Sequence, residues 1–318
     1  YRGIGRFRHR LGNSDGPSSS SSRVSISNAS YTLQFGFERG FSETADPIHQ
    51  DRLFEYGYIG RFNFNYVPVT GITNSGGVGH IDYREEFTGF TNGPVVSNPG
   101  LIAYNEFANP ESFDSYLARN GLFSSLYSSI WSGMHGNINT VYNSFNKGES
   151  DIITGIASAG FDLKLGRTGT HNIQFGLLYE ERVDRSYVVA PFGLWNLMDL
   201  VTNSHFNGVD TNTVIGKYWD PIFSPELGDS ITQFANATIE LNDFKFYRSV
   251  RQMLGRGIGE YVNPNELDPR QLSIGMFSPR ELTDQGLIGY YGYDYEGNKL
   301  NNDVTFNDFF TSRDADGI

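Results

Sequence analysis

In the stretch "DLKLGRTGTHNIQFGLLYEE" (162–181), apolar and polar side chains alternate on both sides of a short turn that contains glycine. Successive side chains of a β-strand point to opposite faces, so this pattern predicts a hairpin with one apolar and one polar face. The apolar face holds Phe161, Leu163, Leu165, Ile173, Phe175, Leu177 and Tyr179. The polar face holds Asp162, Lys164, Gln174, Gly176, Glu180 and Arg182, and Leu178 is the exception to the alternation.

Further segments alternate in the same way. "YTLQFGFE" (31–38) predicts a strand with one face formed by Tyr31, Leu33, Phe35 and Phe37. "FEYGYIGRFNFNY" (54–66) predicts a strand with Phe62 and Phe64 on one face and Arg61 on the other. Weaker patterns predict strands at 3–11, where Arg6, Arg8 and Arg10 share a side, and at 79–90, where Glu85 interrupts the apolar face.

The chemistry of the two faces indicates what each one contacts. An Arg or Lys on the lipid side of a membrane strand costs roughly 2–4 kcal/mol at the midplane, and reversing these strands would place Lys164 and Arg61 in hydrocarbon. We therefore expect the lipid-facing residues to be Tyr31, Leu33, Phe35, Phe37, Phe62, Phe64, Phe161, Leu163, Ile173, Phe175 and Leu177. The expected lumen-facing residues, which would line an enclosed wet interior, are Arg6, Arg8, Arg10, Arg61, Asp162, Lys164, Glu180 and Arg182. Strands of a soluble sandwich also alternate, which is the competing interpretation.

Connection lengths favour the membrane interpretation. The turns at 166–171 and 69–77 are short, whereas 91–150 and 189–318 are long, and compact soluble domains rarely contain structureless connections beyond about 12–15 residues. Outer-membrane barrels combine short periplasmic turns with long outer loops. We therefore predict barrel strands in 1–188, interrupted by an extracellular loop at about 91–150, and a long folded extracellular region at 189–318. The Ser-rich segment 12–23 would be the second periplasmic turn.

The region 189–318 carries three helix signals. Leu194, Leu197, Met198 and Val201 recur at helical spacing after Pro191. "NDFKFYRSVRQMLG" (242–255) predicts a helix with Asn242 as a candidate N-cap, an apolar face of Phe246, Val250, Met253 and Leu254, and Gly255 at its end. "SPRELTDQG" (278–286) matches a capping box formed by Ser278 and Glu281.

Composition excludes several classes of function. The net charge of −12 argues against nucleic-acid binding, because affinity for phosphates depends on clustered Lys and Arg. The absence of Cys excludes disulfides, thiolate metal sites and a Cys nucleophile. No apolar run approaches the roughly 18 residues of a membrane-spanning helix. The six histidines form no metalloprotease spacing, and we expect no enzymatic activity.

Four longer stretches resemble a known family: "FEYGYIGRF" (54–62), "YVVAPFGLWNLM" (187–198), "MFSPRELTDQGLIGYYGYDYEGNKL" (276–300) and "FNDFFTSRDADG" (306–317). They resemble the barrel of TonB-dependent outer-membrane receptors of Bacteroidota, in the SusC-like and Oar-like branch with a carboxypeptidase-regulatory-like domain. The resemblance implies an all-β, 22-stranded antiparallel transmembrane barrel, a plug domain and a segment that contacts the TonB complex. The lumen-facing charges would then contact the plug or line a wet passage. This chain would be a piece of that barrel, without the plug and the closing strands.

Candidate ligand-binding residues are aromatic. Tyr290, Tyr291, Tyr293 and Tyr295 lie together in "YYGYDYEG", and Tyr combines an apolar ring with a hydrogen-bonding tip that suits a vestibule. Trp195 is a further candidate, and packing within the loop is the alternative for all five. Asp314 and Asp316 in "DADG" resemble the start of a calcium loop, with a solvated turn as the alternative, and we expect no other cofactor.

The expected function is import of a nutrient too large for porins, in the outer membrane of a Gram-negative bacterium. The expected partners are outer-membrane lipids, the TonB complex, and a SusD-like lipoprotein or other envelope proteins. Two alternatives remain open: a non-transporting barrel subunit of a secretion or barrel-assembly complex, and a soluble β-rich protein that binds or hydrolyses glycans. The residues do not distinguish siderophore, oligosaccharide and oligopeptide substrates.

Overall fold

The computed structural model describes residues 1–11, 24–108, 120–121, 143–165 and 169–300. It is mostly β with antiparallel sheets, as the alternating patterns predicted. The chain divides into two units, the first formed by 1–43 and 147–186 and the second by 44–146 and 187–318. The strands of the described part are β1 (Arg2–Arg10), β2 (Val24–Thr44), β3 (Arg61–Ile72), β4 (Val78–Thr91), β5 (Phe145–Leu165), β6 (Thr170–Val189), β7 (Phe206–Tyr218), β8 (Ile231–Thr238) and β9 (Ile288–Tyr291). Its α-helices are α1 (Pro99–Ala108), α2 (Phe192–Val201), α3 (Ser224–Leu227), α4 (Phe246–Leu254) and α5 (Pro279–Asp284).

The first unit is a sheet of long strands in the order β1-β2-β5-β6. β1 pairs antiparallel with β2, and the register places Phe7 opposite Leu33 and Arg8 opposite Thr32. Strand β9 and residues 187–189 at the end of β6 belong to the second unit. Because neighbouring strands are antiparallel, β2 and β6 run in the same direction.

Aromatic side chains of this sheet are exposed, and in β2 they are more exposed than the polar face. Phe35 is 68% exposed and Phe175 is 60% exposed, whereas Thr32 and Gln34 on the opposite face of β2 are half-buried. All buried hydrophobic residues of the described chain belong to the second unit. Within the described residues, the apolar face of the first unit is therefore not covered by a hydrophobic core.

An ionic cluster lies on this apolar face. Arg39 contacts Asp151 at 2.5 Å, and Arg185 contacts the other oxygen of Asp151 at 3.2 Å. Alternate residues of a strand share a face, and the aromatic side chains of this sheet stand at odd positions. Arg39, Asp151 and Arg185 are also at odd positions and so lie on the aromatic face. The apolar positions on that face span 31–37 in β2, 153–165 in β5 and 173–179 in β6. A charged cluster thus follows the main apolar band, although exposed Phe41 lies beyond Arg39 on the same face of β2.

The second unit contains two separate hairpins, β3-β4 and β7-β8, and a core shared by the helices and irregular segments. The main core consists of Leu53, Phe54, Tyr56, Tyr58, Phe145, Tyr187, Val189, Leu194, Trp195, Leu197, Met198, Val201, Phe246, Val250, Val262, Leu267, Leu272, Ile274, Phe277, Leu282, Ile288 and Tyr293. A smaller cluster of Ile59, Phe62 and Leu101 lies beside β3.

The sequence predicted one strand over 54–66, but only the last part of this segment is a strand. Residues 56–60 are irregular, because the Asn98 amide donates to the carbonyls of Glu55 and Tyr58 while Asn120 bonds to Ile59 and Gly60. Gly60 has a φ of +156°, and a Cβ there would lie 2.3 Å from the Phe90 ring. The strand therefore begins only at Arg61. Because β3 pairs with β4 in a two-stranded sheet, the predicted lumen-facing Arg61 lies outside the long sheet.

The lipid-facing prediction is wrong for Phe62, which is fully buried with Leu101 and Phe90. Phe64 is half-buried against the same cluster. Both rings pack inside the second unit, because Leu101 and apolar residues of the β3-β4 hairpin contact them.

The region 189–318 contains a hairpin that the sequence did not predict. β7 and β8 pair through three register shifts, which break the period of two on which strand recognition depends. By contrast, α2 is confirmed, with Leu194, Leu197, Met198 and Val201 all buried.

The helix predicted at 242–255 begins later than expected. α4 starts at Phe246 after Lys245, so the Asn242 N-cap was wrong, whereas Gly255 ends the helix with φ of +64° as predicted. Met253 and Leu254 are partly exposed, and Tyr247 and Arg251 are buried in their place. The capping box of Ser278 and Glu281 at α5 is confirmed.

Candidate ligand-binding cleft

Trp195 lies in the core and lines no open surface. Its ring is fully buried, its Nε1 donates to the Phe54 carbonyl at 2.8 Å, and it contacts Tyr58 with ring centroids 5.2 Å apart. The side chain is therefore out of reach of a ligand at the surface of the second unit.

The four tyrosines of "YYGYDYEG" separate into two environments. Tyr290 and Tyr291 are 40% and 44% exposed on β9. Tyr293 is buried in the core, and Tyr295 packs against it. The four side chains thus do not converge on one surface.

A cleft of about 560 Å³ lies elsewhere in the second unit. It is lined by Tyr66, Tyr83, Ile215, Gln233, Ala235, Asn236, Arg256, Gly259, Glu260 and Tyr261. These residues come from β3, β4, β7, β8 and the segment that follows α4. We name it the tyrosine cleft, and its size falls within the range of small-molecule sites.

Three parallel tyrosine rings form one side of the tyrosine cleft. Tyr66 stacks on Tyr83 with centroids 4.6 Å apart and on Tyr261 with centroids 4.2 Å apart, and the interplanar angles are 9° and 8°. Burial raises the pKa of Tyr66 and Tyr83, so both hydroxyls stay neutral near pH 7. The stack is a rigid apolar wall with little rotamer freedom left to lose on binding.

Each tyrosine hydroxyl already has an acceptor inside the protein. Tyr66 donates to Asn236 Oδ1 at 2.8 Å, Tyr83 donates to the Phe234 carbonyl at 2.5 Å, and Tyr261 donates to Glu85 Oε1 at 2.7 Å. The three O–H donors are used, so the rings offer a ligand mainly apolar surface.

A buried arginine holds the segment that contributes Glu260 and Tyr261 to the cleft. Arg251 is 2% exposed and donates to the carbonyl of Glu260 at 2.8 and 3.1 Å, to the Thr202 carbonyl at 2.6 Å and to Asn203 Oδ1 at 2.7 Å. Burial lowers the pKa of Arg251 to about 10. The segment that carries Glu260 and Tyr261 is therefore fixed by charge-assisted hydrogen bonds.

His205 supports the same segment. Its Nε2 donates to the Ile258 carbonyl at 2.8 Å, and its ring stacks on Tyr247 with centroids 4.4 Å apart. Burial lowers the pKa of His205 below its ordinary value of 6.5, and the nearby charges of Arg251 and Arg248 lower it further. The neutral ring is thus the form that fits the fold.

This shift predicts a pH dependence of stability. Because the unfolded chain binds a proton at His205 more readily than the folded one, the free energy of unfolding should fall as pH drops below about 6.5. Thermal unfolding followed from pH 7.5 to 5 should show a smaller slope for His205→Gln, although buried His80 keeps part of the slope. His171→Gln, at an exposed position of β6, is the control and should leave the slope unchanged. Equal slopes in all three proteins would contradict the assignment.

Comparisons with family models, curated proteins and solved structures find no match for this chain. Within the described residues, no three His, Asp or Glu side chains are grouped so as to hold a metal ion. The predicted calcium residues Asp314 and Asp316 lie outside that part of the chain. No helix among the described residues is long and apolar enough to span a membrane.

The predicted lumen-facing residues of the first unit form polar contacts across strands. Arg6 Nε donates to Gln34 at 2.8 Å, and Asp162 accepts from Asn28 and Asn172 at 2.7 Å each. Arg8, Arg10, Lys164, Glu180 and Arg182 are exposed. On the aromatic face, Tyr31, Leu33 and Phe37 are 37–44% exposed and Leu177 is 69% exposed, whereas Phe161, Leu163 and Ile173 are half-buried.

Little in the sequence pointed to the tyrosine cleft. Tyr66 and Tyr83 lie in segments that predict strands, but Tyr261 stands in a segment without a distinctive pattern, and nothing in the three segments indicates that they meet. A stack of rings from three distant segments becomes visible only after the hairpins and the loop have packed.

Proposed function

We propose that this chain is part of a TonB-dependent outer-membrane receptor that imports a nutrient through a plugged barrel. The proposal rests on the resemblance of the loop motifs, and one observation supports it above the rest. In β2 the aromatic face is exposed while the polar face is the more sheltered one, and Phe175 and Leu177 on the aromatic face of β6 are exposed as well. Such a surface is stable next to acyl chains and costly in water.

The dimensions of the apolar band support the same setting. A tilted strand needs about 9–11 residues to cross hydrocarbon, and the apolar positions of β5 extend over 153–165. The cluster of Arg39, Asp151 and Arg185 follows where polar headgroups would begin. The strands themselves continue past this point, as those of large barrels do at their outer ends.

A pair of substitutions on neighbouring residues tests the lipid contact. Phe175→Arg should destabilise the folded protein in lipid vesicles by roughly 2–4 kcal/mol, because the charge would enter hydrocarbon. Gln174→Arg, on the opposite face of β6, should change stability by less than about 0.5 kcal/mol. Folded fractions during urea titration can be read from heat-modifiable gel mobility.

The outcome separates the membrane barrel from the soluble alternative. For a sheet in water, both substitutions would fall at exposed positions and would have equally small effects. In that case, extraction of the native protein without detergent would also succeed, and the proposed location would be rejected.

Transport requires a second test, because a scaffold subunit would share the same lipid contact. Uptake of a bound ligand by cells should stop when the TonB complex is removed. Persistent co-purification with unrelated envelope proteins, together with unchanged uptake, would favour the scaffold.

A further inference from the structure

We propose that the tyrosine cleft binds a short peptide through an aromatic side chain. The inference rests on the proposed receptor function, because it names the ligand that the outer segments would take. Two features of the cleft support it: the apolar surface of the tyrosine rings, and the hydrogen-bonding groups in the cleft that the protein does not use itself.

The apolar part of the cleft fits an aromatic ring. Tyr66, Tyr83 and Tyr261 form a parallel stack, and Ile215 and Ala235 complete an apolar lining around it. Offset or edge contacts between aromatic rings contribute about 0.5–1.5 kcal/mol beyond the burial of area.

A polyhydroxylated ligand fits less well. The O–H donors of Tyr66, Tyr83 and Tyr261 are all used within the protein, and the Asn236 amide both accepts from Tyr66 and donates to the Gly259 carbonyl at 2.9 Å. Sugar hydroxyls buried against the tyrosine rings would lose water without gaining equivalent partners there, whereas a peptide places an apolar ring on this surface and its polar ends at the rim.

The rim supplies charges of both signs. Arg256 and Glu260 are paired at 3.3 Å, and their side chains are 60% and 54% exposed. A short peptide carries a terminal carboxylate for the guanidinium and a terminal ammonium for the carboxylate. The Gln233 Nε2 already donates to the Tyr83 hydroxyl at 3.3 Å, so its Oε1 is the atom that can accept from a peptide N–H between them.

Calorimetric titration of the full chain in detergent tests the proposal with three probes: Ala-Phe-Ala, Ala-Ala-Ala and maltotriose. Ala-Phe-Ala should bind about tenfold more tightly than Ala-Ala-Ala, and maltotriose should bind most weakly. Blocking both peptide termini should weaken binding several-fold. Equal affinities of the two peptides, or a preference for maltotriose, would overturn the proposal.

Variants locate the binding to the cleft. Ile215→Ala and Arg256→Gln alter exposed side chains and leave the stack in place, and each should weaken Ala-Phe-Ala several-fold. Tyr290→Ala on β9 is the matched control and should have no effect. Loss of binding in Tyr290→Ala with none in the cleft variants would assign the peptide to another surface. Gel mobility of the same samples reports insertion independently, so failed peptide binding in a membrane-inserted protein would reject the cleft assignment alone.

Discussion

Replacing Trp195 by Ala is expected to lower the free energy of unfolding of the second unit by roughly 3–5 kcal/mol. The ring is fully buried, contacts Tyr58 and donates to the Phe54 carbonyl. The substitution leaves a cavity and an unpaired buried carbonyl. Thermal unfolding of the detergent-solubilised protein, followed by near-ultraviolet circular dichroism, measures the loss.

Trp219 provides the matched control for this prediction. It is 61% exposed in the same unit, and Trp219→Ala should change stability by less than about 0.5 kcal/mol. Equal losses in the two variants would contradict the core assignment. A ligand-contact role for Trp195 would instead lower affinity with little change in the unfolding transition.

Glu281→Ala should be destabilising by about 3–5 kcal/mol, because one buried carboxylate serves two helices. It accepts from the backbone N–H of Ser278 at 2.6 Å, at the start of α5, and from the N–H of Phe246 at 3.2 Å, at the start of α4. Hydrogen bonds to charged groups contribute about 1.5–3 kcal/mol each, and the variant leaves these donors buried and unpaired. Chemical denaturation of the same preparation gives the difference.

Two variants make this prediction specific. Glu281→Gln keeps one acceptor oxygen and should lose about half as much. Glu226→Ala in the first turn of α3, where the side chain is exposed, should cost at most about 0.5 kcal/mol. A loss for Glu281→Ala no larger than that for Glu226→Ala would show that the carboxylate does not hold the two helix starts.

Local patterns predicted the elements whose signals lie within a few residues. The alternation at 31–38 and 161–179 predicted long strands, because the period of two is a property of the extended backbone itself. The capping box at Ser278 and the Gly255 helix end were equally local, since each depends on a hydrogen bond or a positive φ within one turn.

Tertiary packing decided what covered each face. The aromatic alternation at 54–62 looks like that at 31–38, yet Asn98 and Asn120 bond to its backbone, and Tyr56, Tyr58 and Phe62 fill cores. The same packing buried Trp195 and brought Tyr66, Tyr83 and Tyr261 into one stack. A sequence period determines which side chains share a face. What that face contacts depends on residues far away in the chain, because burial is a property of the assembled fold.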